Sequence, residues 1–341
     1  MKKLLNILYV STQGAYLRKE GLSLVVEIEK EIRLRVPIHN LQGVVCFGNV
    51  LCSPFLLGHC AENQVEVSFL TQYGKFLASV RGPVSGNVLL RRQQYRLADT
   101  PEFALNLSRT ILQAKLANAR NVVLRGKRDG YGNADELEKL AIRLRQYILA
   151  LSRAKTPDDL RGIEGEAARS YFATFNPLLT QQQEAFAFTT RSRRPPLDRI
   201  NALLSFLYTL LMHDITSALE TNGLDPCVGF LHTDRPGRKS LALDLLEEFR
   251  PWLADRLALS LINRQQIQPR DFRNEESGAV LLNDDGRKKV LDAWQKRKQE
   301  EVLHPFIDEK IPLGLFPHVQ ALLLARYIRG DIDGYPPVFW K

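Results

Sequence analysis

At 341 residues the chain is long enough to bury a large core, and its length suits two domains. Apolar residues make up 45% and charged residues 25%, a balance that excludes a disordered or fibrous chain. The net charge of +9, with a pI near 9.4, points to a polyanionic partner.

Met1-Lys2-Lys3 leads into a short LLNILYV run and then polar Ser11-Thr12-Gln13, with no small-residue cleavage site, so no signal peptide is expected. Residues 4 to about 82 read as β. Strands are predicted at Leu4–Val10, Ser23–Ile28, Ile32–Ile38, Leu41–Phe47, Val65–Leu70 and Phe76–Val80, where β-branched and aromatic residues cluster between turn signals. One helix, opened by Ser53-Pro54 and ending near Asn63, interrupts them. Cys46, Cys52, Cys60 and Cys227 form no CxxC pair, and Cys52, His59 and Cys60 match no zinc spacing, so buried free thiols are expected. Gly82-Pro83-Val84-Ser85-Gly86 reads as a linker, dividing the chain into domains 1–86 and 87–341.

Beyond the linker the periodicity becomes helical. Helices are predicted over 87–98, 102–124, 134–152, 157–175, 198–221, 240–249, 251–263, 286–302 and 315–328, with a hairpin within Asp271–Asp285. The fold class is therefore α+β: an N-terminal mostly-β domain followed by a larger all-α domain. The most apolar helical run, Leu203–Met212, ends in His213-Asp214 and is too short to span a bilayer, which makes the chain cytoplasmic with no membrane partner. Basic clusters recur along the helical half: Arg191, Arg193 and Arg194 in an exposed loop before Pro195-Pro196, and Arg235 with Arg238 and Lys239. Several such clusters in a basic chain form a track for a phosphate backbone.

Two stretches carry the chemistry. The first is Val228–Asp255, VGFLHTDRPGRKSLALDLLEEFRPWLAD. It places a lone His232 in a Pro/Gly/Arg-rich loop ahead of a helix with Ser240 as its N-cap and Pro251 as its stop or kink. Leu241, Leu245, Phe249 and Trp252 stack as a core face, while Asp244, Glu247 and Glu248 share another edge. Three like charges require a cation: a metal ion held with His232, or Arg250 or Arg238; a solvated acidic edge is the plain alternative. The second is Thr156–Phe175, whose Thr156, Pro157 and Asp159 predict a capped helix start. Glu164 falls on a stripe with Ala167, Ala168, Tyr171 and Phe175, whereas Glu166 faces Arg169 and Ser170. A carboxylate on an apolar stripe needs a partner, either an arginine or a metal.

Together, Glu164, His232 and Glu247, with Asp244 near by, form a one-nitrogen, oxygen-rich set that suits Mn²⁺ or Mg²⁺ better than zinc. On a basic protein that chemistry is phosphodiester cleavage or transfer. No GxSxG, GxxxxGK[ST], HExxH or GxGxxG is present.

LRGIEGEAARSYF together with GFLHTDRPGRKSLALDLLEEFRP closely resembles the signature of the CRISPR-associated integrase/endonuclease family (Cas-one), and LLNILYVSTQGAYLRKEGLSLVVE resembles its opening in the form found beside type I systems, subtype I-C among them. The resemblance implies a β domain for assembly and a helical catalytic domain. It implies Glu164, His232 and Glu247 as metal ligands, with Asp244 as an accessory acid. It also implies DNA as substrate, a homodimer, and a heterohexameric complex with a dimer of the small partner Cas-two. The activity so implied is insertion of short duplexes into a CRISPR array by 3′-hydroxyl attack on repeat phosphodiesters.

Overall fold

A computed structural model describes residues 7–41, 43–72, 76–80, 82 and 88–340. The chain forms two compact units: Met1–Ser85 with Val290–Glu300 and Leu313–Leu315, and Gly86–Lys289 with Glu301–Pro312 and Phe316–Lys341. The first unit therefore draws on residues far beyond 86, which a division at 1–86 and 87–341 does not include. The expected linker Gly82–Gly86 lies outside the described residues except for Gly82, as do Leu4–Asn6 of the first expected strand.

The first unit contains β1 (Ile7–Val10), β2 (Tyr16–Glu20), β3 (Ser23–Ile28), β4 (Glu31–Pro37), β5 (Gly43–Phe47), β6 (Leu51–Cys52), α1 (Pro54–Glu62), β7 (Glu66–Leu70) and β8 (Phe76–Val80). One sheet runs β1-β5-β7-β8, parallel except for its last pair. β5 is buried at every position, as GVVCF between parallel neighbours should be. The other sheet runs β4-β3-β2-β6, an antiparallel meander extended by a short parallel strand. β2 is not among the expected strands because its Arg18, Lys19 and Glu20 mask the apolar signal; Arg18 pairs with Glu27 at 2.6 Å on the neighbouring strand. Leu17, Leu24, Val44, Cys46, Leu56 and Val67 lie in one core, capped by α1, whose Leu56 N–H donates to Ser53 Oγ at 3.2 Å. Cys46 and Cys60 are buried free thiols, but Cys52 is partly exposed and Cys227 exposed.

The second unit contains α2 (Val88–Ala98), α3 (Pro101–Arg128), α4 (Ala134–Leu151), α5 (Pro157–Phe172), α6 (Phe175–Leu178), α7 (Arg199–Thr221), α8 (Ser240–Phe249), a π-helical turn (Arg250–Asp255) and α9 (Arg256–Asn263). Then follow β9 (Phe272–Asn274), β10 (Val280–Leu282), α10 (Asp284–Gln299), β11 (Glu301–Leu303), β12 (Lys310–Pro312) and α11 (Phe316–Arg329). From Val290 onward α10 belongs to the first unit, where Gln295 Nε2 donates to Ile7 O at 3.1 Å. The helical unit is not all-α: β9–β10 and β11–β12 are short antiparallel pairs, the second where the periodicity predicts a helix through Val302.

α3 is the long central helix and packs against α4, α5, α8 and the π-helical turn. α7 corrects the expectation of a short apolar run. It continues through His213-Asp214 over 23 residues, long and apolar enough to cross a membrane by length and composition. Yet 67% of its most apolar stretch is buried inside the protein, which is how a core helix behaves.

Candidate active site

The loop before α8 is built around Gly229. A Cβ there would lie 2.7 Å from Ser240 Cβ and 3.0 Å from Asp244 Oδ2, so only glycine lets this loop approach the helix. Ser240 is not the N-cap: Lys239 is, and the Ser240 hydroxyl donates to Thr233 O at 3.2 Å, tying loop to helix. Leu241, Leu245, Phe249 and Trp252 are buried as one face.

The three carboxylates of α8 do not form a common edge. Asp244, fully buried, accepts four hydrogen bonds. Oδ2 receives the N–H groups of Phe230 (2.6 Å) and Leu231 (3.0 Å), and Oδ1 receives the His232 N–H (2.9 Å). His232 Nδ1 lies 2.7 Å from the same Oδ1. A carboxylate has about four lone-pair sites, so the Asp244 carboxylate is fully occupied by the loop that carries His232. Glu248 points the other way, into the C-terminal segment. It accepts from Tyr335 Oη, from Val338 N–H at 3.0 Å and from Gln320 Nε2 at 3.2 Å. Burial pushes its carboxyl up to about 7 despite those three bonds. Trp340 of the same segment stacks on Trp252 with ring centroids 4.6 Å apart.

Glu247 alone faces the site. Its Oε1 accepts from Arg250 Nη1 and lies 3.9 Å from His232 Nε2; its Oε2 lies 2.7 Å from Lys115 Nζ, without hydrogen-bond geometry. Lys115 Nζ also donates to Glu164 Oε1, bringing α3, α5 and α8 to one point. Burial of Glu247 favours the neutral acid, but Arg250, Lys115 and His232 outweigh it and hold the carboxyl below the usual range. Burial likewise opposes the Lys115 charge, and Glu247 and Glu164 hold it above its ordinary value.

The capped start predicted for α5 is present: Asp159 N–H donates to Thr156 Oγ1 at 3.1 Å, and Thr156 N–H donates to Asp159 Oδ2 at 2.9 Å. α5 ends at Phe172 rather than Phe175. It places Glu164 half-buried over Lys115 and leaves Glu166 exposed.

The α-helix ends at Phe249, ahead of Pro251, as expected. The chain continues as a π-helical turn, the wider coil that tolerates a residue with no N–H to donate. It leaves Arg250 5.0 Å from the centre of the Tyr208 ring, and Asp255 accepting from Tyr208 Oη (2.6 Å) and Tyr171 Oη (3.2 Å). Burial raises the Asp255 carboxyl to about 6, against those two hydroxyls. Lys115, Glu164, Arg193, Tyr208, Arg250 and Asp255 line a common cleft.

Sequence reasoning missed Lys115, Tyr208 and Asp255. Lys115 left a signal: Ile111, Leu112, Asn118 and Ala119, three and four positions away on α3, are all buried, so one lysine stands on a core face. The basic clusters divide. Arg191 turns inward, donating to Asn201 Oδ1 (2.7 Å) and Ser205 Oγ (3.3 Å), with its guanidinium 5.4 Å from the Tyr208 ring. That corrects the reading of the 191–194 loop as wholly exposed; Arg193 and Arg194 are exposed. Arg235 is exposed, while Lys239 and Arg238 are half-buried and Arg238 donates to Thr233 O at 3.3 Å.

Among the described residues no three His, Cys, Asp or Glu side chains converge closely enough to coordinate an ion as they stand. The donor types nevertheless fit one: His232 is held through Nδ1, leaving Nε2 toward Glu247, whose buried Oε2 has the Lys115 ammonium 2.7 Å away. Lys115 Nζ stands between the two glutamates.

The family model described as CRISPR associated protein Cas1 matches residues 8–296. This chain belongs to the Cas1 family. It is 55% identical over 346 residues to CRISPR-associated endonuclease Cas1 1 of Chlorobaculum tepidum, covering 100% of both chains. It is 52% identical over 347 residues to CRISPR-associated endonuclease Cas1 2 of Rhodospirillum rubrum, again over 100% of both. Among solved structures, a Cas1 protein from Thermotoga maritima superposes with a TM-score of 0.82 at 23% identity, over 98% of this chain and 100% of that one. A casposase bound to its integration product gives 0.84 at 22% identity, over 97% and 92%. These last two likenesses show that the chain has the Cas1 fold. The relatives of similar length and higher identity bear the name endonuclease.

Proposed function

We propose that this Cas1 family member is a metal-dependent DNA integrase and endonuclease that inserts short duplexes into a CRISPR array. The observation that carries the reading is a line of contacts, Glu164 to Lys115 to Glu247 to His232, that draws α5, α3, α8 and the Gly229 loop together, with Asp244 orienting the histidine. Glu164, His232 and Glu247 would hold Mn²⁺ or Mg²⁺, and the ion supplies Lewis-acid polarisation of a phosphoryl oxygen and activation of the attacking hydroxyl. Asp244 fixes the His232 tautomer and Arg250 holds Glu247 in place. Exposed Arg193, Arg194 and Arg235 meet the DNA backbone, with Arg238 and Lys239 beside the His232 loop. The duplex's 3′-hydroxyl attacks a repeat phosphodiester in line, and the displaced 3′-oxygen leaves.

A Cas6-RT-Cas1–Cas2 complex contains a chain that superposes on this one with a TM-score of 0.83 at 24% identity, over 97% of this chain and 36% of that one. The pairing named in that complex supports a complex of this protein with the small Cas2 partner; homodimers flanking a Cas2 dimer in the cytoplasm belong to the same proposal. Subtype I-C membership and assembly through the first unit are part of the same reading. The test is an in vitro integration assay with Mn²⁺ or Mg²⁺, with and without the partner. Joining that needs both ion and partner is expected. Hydrolysis of branched DNA without the partner would make the chain a free-standing nuclease, and DNA binding with no joining or cleavage, unchanged by Glu164→Ala, would make it a non-catalytic scaffold.

A further inference from the structure

The site already balances its own charge. Lys115 and Arg250 face Glu164 and Glu247, and Arg193 and Asp255 line the same cleft, three cations against three carboxylates; of the first four side chains three are nearly enclosed. The side chains of Lys115, Arg250 and Glu247 are 12%, 11% and 4% exposed. A divalent ion entering between the glutamates would therefore bring two uncompensated positive charges into a poorly solvated place, where like charges repel strongly. It would also meet Lys115 Nζ, which lies 2.7 Å from Glu247 Oε2 and donates to Glu164 Oε1. Two events relieve this: removal of the ammonium from between the carboxylates, and arrival of an anion. DNA supplies the anion at one charge per phosphate. Lys115 sits on the wall of the same cleft as exposed Arg193, so a phosphate in the cleft is within the surroundings of both.

We propose that Lys115 is a charge placeholder that couples ion binding to DNA binding, leaving Glu164 and Glu247 for a phosphate oxygen as the ion takes its place. The proposal rests on the metal-dependent reading and deepens it. Lys115 is then a positioning residue whose ammonium makes the free protein a poor binder of divalent ions and the DNA-bound protein a good one. Such a device keeps an ion-loaded nuclease site from persisting without its substrate. Because coupling between two ligands is reciprocal, Mn²⁺ must tighten DNA binding by the factor by which DNA tightens Mn²⁺ binding.

The test measures Mn²⁺ binding by calorimetry and by the loss of the free-ion electron paramagnetic resonance signal. It uses the full chain with and without a saturating duplex oligonucleotide, and follows duplex affinity by anisotropy with and without Mn²⁺. For the wild type, the duplex should tighten Mn²⁺ at least about tenfold, within the usual range for linked sites. Lys115→Met should tighten Mn²⁺ in the free protein by about tenfold and reduce the coupling to less than about threefold. Lys115→Arg, which keeps the charge in a fixed fork on the carboxylates, should weaken Mn²⁺ about tenfold in the free protein. It also decides the matter should the methionine variant fail to fold. Glu164→Gln and Glu247→Gln separate the two levels. If either binds Mn²⁺ as the wild type does, the metal site itself is misplaced and both readings fall. If both lose Mn²⁺ while Lys115→Met keeps wild-type affinity and coupling, the metal site stands and the placeholder role is overturned.

Discussion

His232 Nδ1 lies 2.7 Å from Asp244 Oδ1, and the backbone N–H of the same histidine donates to the same oxygen at 2.9 Å. One carboxylate on α8 therefore fixes both the position of the loop and the tautomer of its imidazole. The ring presents Nε2 to Glu247 as a consequence.

Asp244→Asn replaces an acceptor of four hydrogen bonds by a group with one acceptor oxygen and an amide that faces N–H donors. Strand transfer should fall by about 10- to 100-fold, the usual cost of losing the partner that orients a metal-binding histidine. Urea unfolding should show a loss of about 2 kcal/mol or more from the N–H groups left buried and unmatched. A variant with wild-type rate and wild-type urea midpoint would remove Asp244 from this role.

Glu247→Ala leaves Lys115 and Arg250 enclosed without their shared counter-ion. Its stability should drop by about 3–5 kcal/mol, measured by urea unfolding, together with complete loss of strand transfer. Glu164→Ala should also abolish strand transfer but unfold only slightly more easily, because its side chain is 30% exposed and Lys115 keeps Glu247. Lys115 separates the two glutamates, so they do not act as a self-repelling pair. Exposed Glu166→Ala is the control, at wild-type rate and stability.

Glu248 gives a pH signature. Its native carboxyl titrates at about 7 against an ordinary 4.5, so between those values the native state keeps a proton that the unfolded chain has lost. Its contribution to stability is full below pH 4.5, declines as pH rises, and is gone above about pH 7. The urea stability of the wild type relative to Glu248→Gln should fall by roughly 3 kcal/mol across that window and be flat outside it. A difference that stays level through the window would show that Tyr335, Gln320 and the Val338 N–H hold the anion without cost.

Charge reversal at Arg193 and Arg194 should flatten the dependence of log K on log salt for duplex DNA, by about 0.9 for each phosphate that is no longer neutralised. Folding should be untouched, because both side chains are exposed. Reversal at Arg191 should instead lower the melting temperature, since its guanidinium holds Asn201 and Ser205. An unchanged salt slope in the Arg193 and Arg194 variant would take this loop out of the DNA footprint.

Local patterning determined much of this protein. The capping residues of α5, the apolar face of α8, and the split between Glu164 and Glu166 depend on helix periodicity and on neighbours within four positions. They are legible for that reason. Periodicity also groups Asp244, Glu247 and Glu248, and there it misleads, because which carboxylate meets a loop, a cleft or a distant chain segment depends on elements 90 or more residues away in two of the three cases. Only the tertiary structure brought Lys115 from α3 between Glu164 and Glu247, carried the chain past Pro251 as a π-helical turn, and turned Arg191 inward while Arg193 stayed outside. A buried charge is placed by the partners that compensate it, and in this fold those partners come from helices distant in sequence.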